Sequence, residues 1–259
     1  MNLDIKDHIA KSLAQGIRMD GRKNDEFRPI TVETNVTGTA DGSARVTCGD
    51  TMVIAGIKLG LGTPFPDTPN NGVLMVNAEL LPLSNPHFEG GPPSIDSIET
   101  SRVIDRGIRE GEAMDTKQLV VKAGEKVWMV SVDVIPLNHD GNLIDVGGLA
   151  TMAALKTTYF PEVKDGKVVD KGKSKKKLPL KSEPLPITVF RIGDTFIVDP
   201  TEEEESASDC RLTVAFEADG SLCAMQKTGG PLMLDEIKQM ITMGKKASLV
   251  VRKNLGGLK

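Results

Sequence analysis

The sequence predicts an α+β fold made of two similar β-sheet/helix halves, and three observations carry that prediction. Strand-forming runs broken by Gly, Pro and Asx turns occupy residues 29–82 and 119–135. A helix rich in small residues follows them, and the same order of strands and then a helix returns between residues 187 and 241. With 259 residues, 39% of them hydrophobic, the chain can bury a substantial core, and it is expected to be one domain over 1–259.

The first element predicted is a helix at 4–17, where Ile5, Ile9, Leu13 and Ile17 recur every four residues along one side and Asp4 stands as a plausible cap. Arg18-Met19-Asp20-Gly21-Arg22 follows, a turn marked by Asp-Gly, either solvated or holding its two guanidinium forks close together for a purpose. Strands are predicted at 30–32, 44–46, 52–61 and 73–81, with a hairpin turn at Asp41-Gly42. Residues 60–72 hold too much Gly and Pro for regular structure and are expected to form a loop, as are 87–94.

A helix is predicted over 96–110, carrying Arg102, Arg106 and Arg109. At ~100° per residue the three fall within a stripe of roughly 60°. Such a stripe either binds an anion or pairs with Glu99, Asp105 and Glu110 nearby. Strands at 119–121 and 126–135 lead to Asp140-Gly141-Asn142-Leu143 and a helix whose Gly147, Gly148, Ala150, Ala153 and Ala154 permit close packing. A Gly turn opening a helix can be purely structural, or it can cradle phosphate on unpaired N–H groups at the positive end of the helix dipole. Residues 162–183 hold eight lysines against four acids and few apolar side chains, so they are expected to form an exposed basic excursion. Strands at 187–192, 195–198, 211–217 and 222–226 follow, with an acidic run from Asp199 to Glu205 among them. A last helix begins after Pro231, with Leu234, Ile237 and Ile241 on one face.

Composition excludes several classes. A net charge of −4 is wrong for a protein that coats nucleic acid with its whole surface, though it allows a local basic site. With aromatics at 3%, base stacking on aromatic platforms is not available as a main device, so any nucleic acid would be held through phosphate. Cys48, Cys210 and Cys223 form no CxxC pair, and His8, His87 and His139 are far apart, so neither a disulfide framework nor a zinc site is expected, and no cofactor is implied. No apolar run is long enough for a bilayer span or a signal peptide, and a cytoplasmic protein is expected.

Three of these segments together, Arg18-Met19-Asp20-Gly21-Arg22, Ser101-Arg102-Val103-Ile104-Asp105-Arg106-Gly107-Ile108-Arg109-Glu110 and Asp199-Pro200-Thr201-Glu202-Glu203, resemble the RNase PH family of phosphorolytic ribonucleases over nearly the whole chain. More narrowly, the chain resembles the ring members of archaeal exosomes that lack an active site of their own. The family implies a hexameric ring, a trimer of heterodimers with a catalytic RNase PH-like partner. In that ring inorganic phosphate attacks the 3′-terminal linkage of RNA, and RNA-binding cap subunits cover one face. Such chemistry depends on positioning and on cations that stabilise crowded negative charge.

Two departures from the catalytic pattern remove those cations. Catalytic relatives carry Gly-Ser-Arg or Gly-Thr-Arg where Gly141-Asn142-Leu143 stands, and two arginines where Ile95 and Asp96 stand. Asp199 and Asp209 lie near the family's catalytic acid but at a different spacing, and no catalytic residue is assigned. The resemblance implies that Arg102 and Arg106, with Arg109 beside them, hold RNA phosphates at the boundary with the catalytic partner. Two alternatives are a self-sufficient phosphate-dependent 3′-5′ exoribonuclease using Asp199 or Asp209, and a small-molecule kinase built on the Gly-rich loop 60–72. The loop lacks the Lys-Ser/Thr ending of a P-loop.

Overall fold

The computed structural model describes residues 3–164 and 167–258 and contains two main sheets. Helix α1 (Leu3–Ala14) precedes strands β1 (Ile30–Thr34), β2 (Gly42–Cys48), β3 (Thr51–Gly62) and β4 (Val73–Ala78), helix α2 (Ile95–Glu110), and strands β5 (Val120–Lys122) and β6 (Lys126–Asn138). These strands form the first sheet in the order β1-β2-β3-β6-β4, with β5 beside β6. Only β4 runs parallel to its neighbour among these pairs, as expected when α2 supplies the crossover from β4 towards β6. Helix α3 (Leu143–Lys156) then leads through β7 (Tyr159–Lys164) and β8 (Lys167–Lys177) to β9 (Leu185–Ile192) and β10 (Thr195–Val198). Helix α4 (Glu202–Ala207), strands β11 (Cys210–Phe216) and β12 (Leu222–Gly229) and helix α5 (Leu234–Arg252) complete the second half, whose antiparallel sheet runs β10-β9-β11-β12. The α+β architecture in two halves is therefore as the sequence predicts.

The two sheets meet on α3, of which every residue from Leu143 to Leu155 is buried. A helix covered on all sides is largely apolar all round, with Asp145 and Thr151 the buried polar residues of α3, and its small residues set how closely the sheets approach. A Cβ on Gly148 would overlap the ring of Pro186 in β9, and one on Gly147 would press on Ile104 of α2 and Val134 of β6.

Several predicted boundaries shift. Helix α1 stops at Ala14 because Gly16 takes the left-handed conformation at φ 74°, so Ile17 lies outside the helix. Ile9 and Leu13 are buried, whereas Ile5 and Ile17 are exposed. Asp41-Gly42 is not the hairpin turn. Gly42 begins β2, packed so tightly on Thr158 that no side chain fits, and the Asp41 carboxylate accepts the Leu59 N–H at 2.7 Å. The predicted hairpin exists, since β1 pairs antiparallel with β2 from Thr34 opposite Ala44, but the chain reverses over the longer connection 35–41, and the tight two-residue turn is Gly49-Asp50 between β2 and β3. Gly60 and Gly62, expected in a loop, remain paired in β3 against Met129 and Val127, with the Met129 side chain lying over Gly62. The basic excursion is a two-stranded ribbon, β7 with β8, in which Lys175, Lys176 and Lys177 are exposed; residues 165 and 166 of that prediction lie outside the described residues. On α5 the buried face is Met240, Gly244, Ala247 and Val251, while Leu234 is exposed.

Candidate functional site

The arginines of α2 divide between two places. Arg102 and Arg106 line a groove of about 480 Å³ between α2 and the edge strand β12, together with Ile95, Glu99, Gln226 and Thr228. Ser94 caps this helix through the Ser97 N–H, and Val103, Ile104, Gly107 and Ile108 fix its buried side, so the next residues round the helix, Arg102 and Arg106, must face outward. Arg106 donates to the Gln226 side chain at 3.1 Å. The Arg102 side chain makes no hydrogen bond or ion pair among the described residues. Arg109 points elsewhere, donating twice to Asp105 at 3.0 and 2.7 Å and once to the Leu74 carbonyl at 3.2 Å, and it lines a separate cleft with Phe65 and Lys117. The structure thus brings Arg102 and Arg106 together and leaves Arg109 apart.

The turn before α3 has the backbone of an anion cradle, and the chain fills it with its own carboxylate. Asn142 adopts the left-handed conformation at φ 60°, and its N–H donates to Glu205 at 2.8 Å. The Gly141 N–H is taken up by His139 at 3.3 Å. The other Glu205 oxygen accepts from Arg211 at 3.0 Å, and Arg211 reaches on to Glu99 at 2.9 Å in the groove. Leu143, the next residue, is buried. Ile95 and Asp96 are both exposed at the start of α2, so apolar and negative surface faces solvent there.

Three acids of the acidic run, Asp199, Glu204 and Glu205, are taken up by ion pairs. Asp199, fully buried, is gripped by Arg28 through Nε at 2.9 Å and Nη2 at 2.8 Å, by Arg22 at 3.0 Å and by the Asn142 side chain at 2.9 Å. Burial pushes its carboxyl up, but the hydrogen bonds and charge of Arg28, with the Asn142 amide, together hold it below the ordinary carboxylate range. Arg18 is also buried and clamps Glu204 at 3.0 and 2.6 Å. The N-terminal arginine turn is therefore a structural clasp, and Asp209 is likewise paired, with Lys6 at 2.8 Å and the Gly193 N–H at 2.8 Å. Among the described residues no group of three or more His, Cys, Asp or Glu could hold a metal ion. The contacts Arg28–Asp199, Glu205–Asn142 and Arg211–Glu99 escaped sequence reading because the residues they join lie 171, 63 and 112 positions apart, beyond any local pattern.

Comparison with known proteins places this geometry. Residues 26–161 match domain 1 of the 3′ exoribonuclease family, RNase PH, and residues 183–247 match domain 2. The exosome complex component Rrp42 of Methanocella arvoryzae is 47% identical over 254 residues, covering 98% of this chain and 96% of that protein. The corresponding protein of Archaeoglobus fulgidus is 47% identical over 235 residues, with 90% and 88% covered. Among solved structures, a chain of the Archaeoglobus fulgidus exosome with RNA bound to the active site superposes with a TM-score of 0.90 at 42% identity, covering 96% of this chain and 97% of that one. A chain of an archaeal exosome core gives 0.86 at 38% identity, with 97% and 96% covered.

Proposed function

The chain belongs to the RNase PH group of 3′ exoribonucleases, and from that premise we propose that it is a non-catalytic ring subunit of an archaeal-type exosome, giving scaffolding and RNA-phosphate contacts to a catalytic partner. The observation that carries this reading is the pairing of a kept groove with a filled cradle. Arg102 and Arg106 stand exposed with room for a strand, while the turn at Asn142 holds Glu205 and Leu143 instead of phosphate and arginine. Three heterodimers closing into a ring, with RNA-binding subunits capping one face, form the assembly proposed. RNA would pass between this groove and the partner's active site.

The arginines act as fixed charges. A guanidinium stays protonated at any working pH and can grip a phosphate in two places, so the pair positions the strand without reading its sequence. Self-sufficient phosphorolysis is disfavoured because Asp199 is buried between two arginines and the amide that would take phosphate already holds a carboxylate.

Two measurements test the proposal. The purified chain, alone with poly(A) and inorganic phosphate, is expected to release no ADP; phosphate-dependent ADP release would overturn it. In the assembled ring, Arg102→Glu with Arg106→Glu should leave assembly intact, weaken RNA binding and flatten its salt dependence by roughly one unit of slope per lost contact. An unchanged slope would make the stripe purely structural.

A further inference from the structure

We propose that Glu99, with Thr228, recognises the ribose hydroxyls of the strand held in the α2–β12 groove, and so makes this subunit a contributor to discrimination between RNA and DNA. The inference rests on the phosphate-binding role of Arg102 and Arg106 and adds to it. Contacts to phosphate alone cannot separate the two nucleic acids, because both carry the same backbone charge; the 2′-hydroxyl is the group that differs.

Glu99 occupies the groove on the same helix as the arginines, one turn before Arg102. A carboxylate there opposes phosphate binding, so its presence calls for another use. Its negative charge is held in place rather than removed. Oε2 accepts from Arg211 at 2.9 Å, but Arg211 is shared with Glu205 at 3.0 Å, leaving one cation between two anions. Oε1 accepts from the Thr228 hydroxyl. An ionised carboxylate offers about four acceptor positions, and these two bonds occupy two of them. Glu99 keeps roughly a fifth of its side chain exposed, at 19%, and the Thr228 oxygen, having donated its own proton, can still accept.

The groove therefore presents fixed donors for phosphate at Arg102 and Arg106 and fixed acceptors for hydroxyls at Glu99 and Thr228. The same division of labour recurs where proteins bind nucleotides, with cationic or N–H groups on phosphate and an acidic side chain on the ribose hydroxyl. The rise between Arg102 and Arg106 is about 6 Å along the helix, so a sugar next to a phosphate gripped there falls within reach of the preceding turn. Arg211 acts as the positioning residue. Held by Glu205 against the start of α3, it keeps Glu99 turned into the groove.

The test uses the assembled ring in phosphate-free buffer, with affinities for an oligoadenylate RNA and the DNA of the same sequence and length. Glu99→Gln should weaken RNA binding about tenfold, the effect of losing a charge-assisted hydrogen bond, and leave DNA binding within about twofold. Thr228→Val, which keeps Glu99 and its bond to Arg211, should lower the RNA-to-DNA ratio in the same direction and carries the test if Glu99→Gln fails to assemble. Equal losses for RNA and DNA, or no loss, would overturn the inference and leave Glu99 as an anchor for Arg211. Arg102→Glu with Arg106→Glu, measured alongside, should weaken both nucleic acids alike. If it weakens neither, the phosphate groove itself is wrong; if it weakens both while Glu99→Gln leaves the ratio unchanged, only the ribose assignment falls.

Discussion

Arg109 illustrates how one helical stripe can hold side chains with different work. The 3.6-residue period places it in line with Arg102 and Arg106, and no sequence pattern separates the three. Its environment does: both Asp105 oxygens and the Leu74 carbonyl use its donors, and the Asp105 hydrogen bond raises its pKa. Arg109→Ala is therefore expected to leave RNA affinity within about twofold, in filter or anisotropy titrations where the Arg102 and Arg106 charge reversals lower it clearly. Asp145 makes a prediction of a different kind. It is fully buried in α3, where burial pushes its carboxyl up to about 7 although the Thr188 N–H and hydroxyl donate to it at 2.9 and 2.7 Å. Between about pH 4 and pH 7 the folded chain keeps a proton that the unfolded chain releases, so stability falls as pH rises through that window. Asn can accept the Thr188 N–H without ionising. Asp145→Asn should then gain on the wild type from pH 4 to pH 8, by on the order of a few kcal/mol, as read from urea midpoints at the two pH values. A difference that stays constant with pH would place the charged form of Asp145 in a more favourable setting than its burial implies.

At the scale of elements, α3 is where local sequence and tertiary structure agree most fully. Its run of Gly147, Gly148, Ala150, Ala153 and Ala154 predicts close approach, and the two sheets close on it from both sides. Helix α5 agrees only in part. Of its predicted face, Ile237 and Ile241 pack against the core beside Met240 and Gly244, where Gly244 lets the helix sit on Phe216, whereas Leu234 in the first turn is exposed. Periodicity records which side of a helix is apolar; how far along the helix that side is covered depends on the shape of the partner, and that shape is absent from the helix's own residues. The N-terminus of α3 follows the same logic. Its Gly turn is legible as a possible anion site, but the anion comes from Glu205 in α4, far away in sequence. Glu205→Ala removes the acceptor from the Asn142 N–H and one partner from Arg211, and is expected to cost about 1–2 kcal/mol. Thermal melts should place Glu205→Gln between this variant and the wild type, because glutamine keeps an acceptor but loses the charge that complements the helix dipole.

Across the whole molecule, the two halves are joined by charge as well as by apolar packing on α3. Arg28, before β1, and Asn142, at the turn before α3, belong to the first half and both donate to Asp199, which follows β10 in the second, while Asp140 of the same turn takes the other end of the Arg28 guanidinium. The cost of burying Asp199 is met only while its partners remain. A buried pair adds little compared with apolar residues of the same shape, but losing one member strands the other. Asp199→Asn leaves Arg28 buried with one carboxylate partner fewer, and about 3–5 kcal/mol of stability should go with it at pH 7. Because Arg28 holds the Asp199 carboxyl below its ordinary value, its contribution is fully present above about pH 4 and is lost as pH falls through the lowered folded value. The gap between wild type and Asp199→Asn should therefore be widest at neutral pH and close in acid, the reverse of the Asp145 variant's behaviour. Denaturant titrations of both variants in a series from about pH 8 downward separate the two cases. A gap for Asp199→Asn that stays constant throughout the acid end of the series would mean that steric fit at the junction, and not charge, holds the halves together.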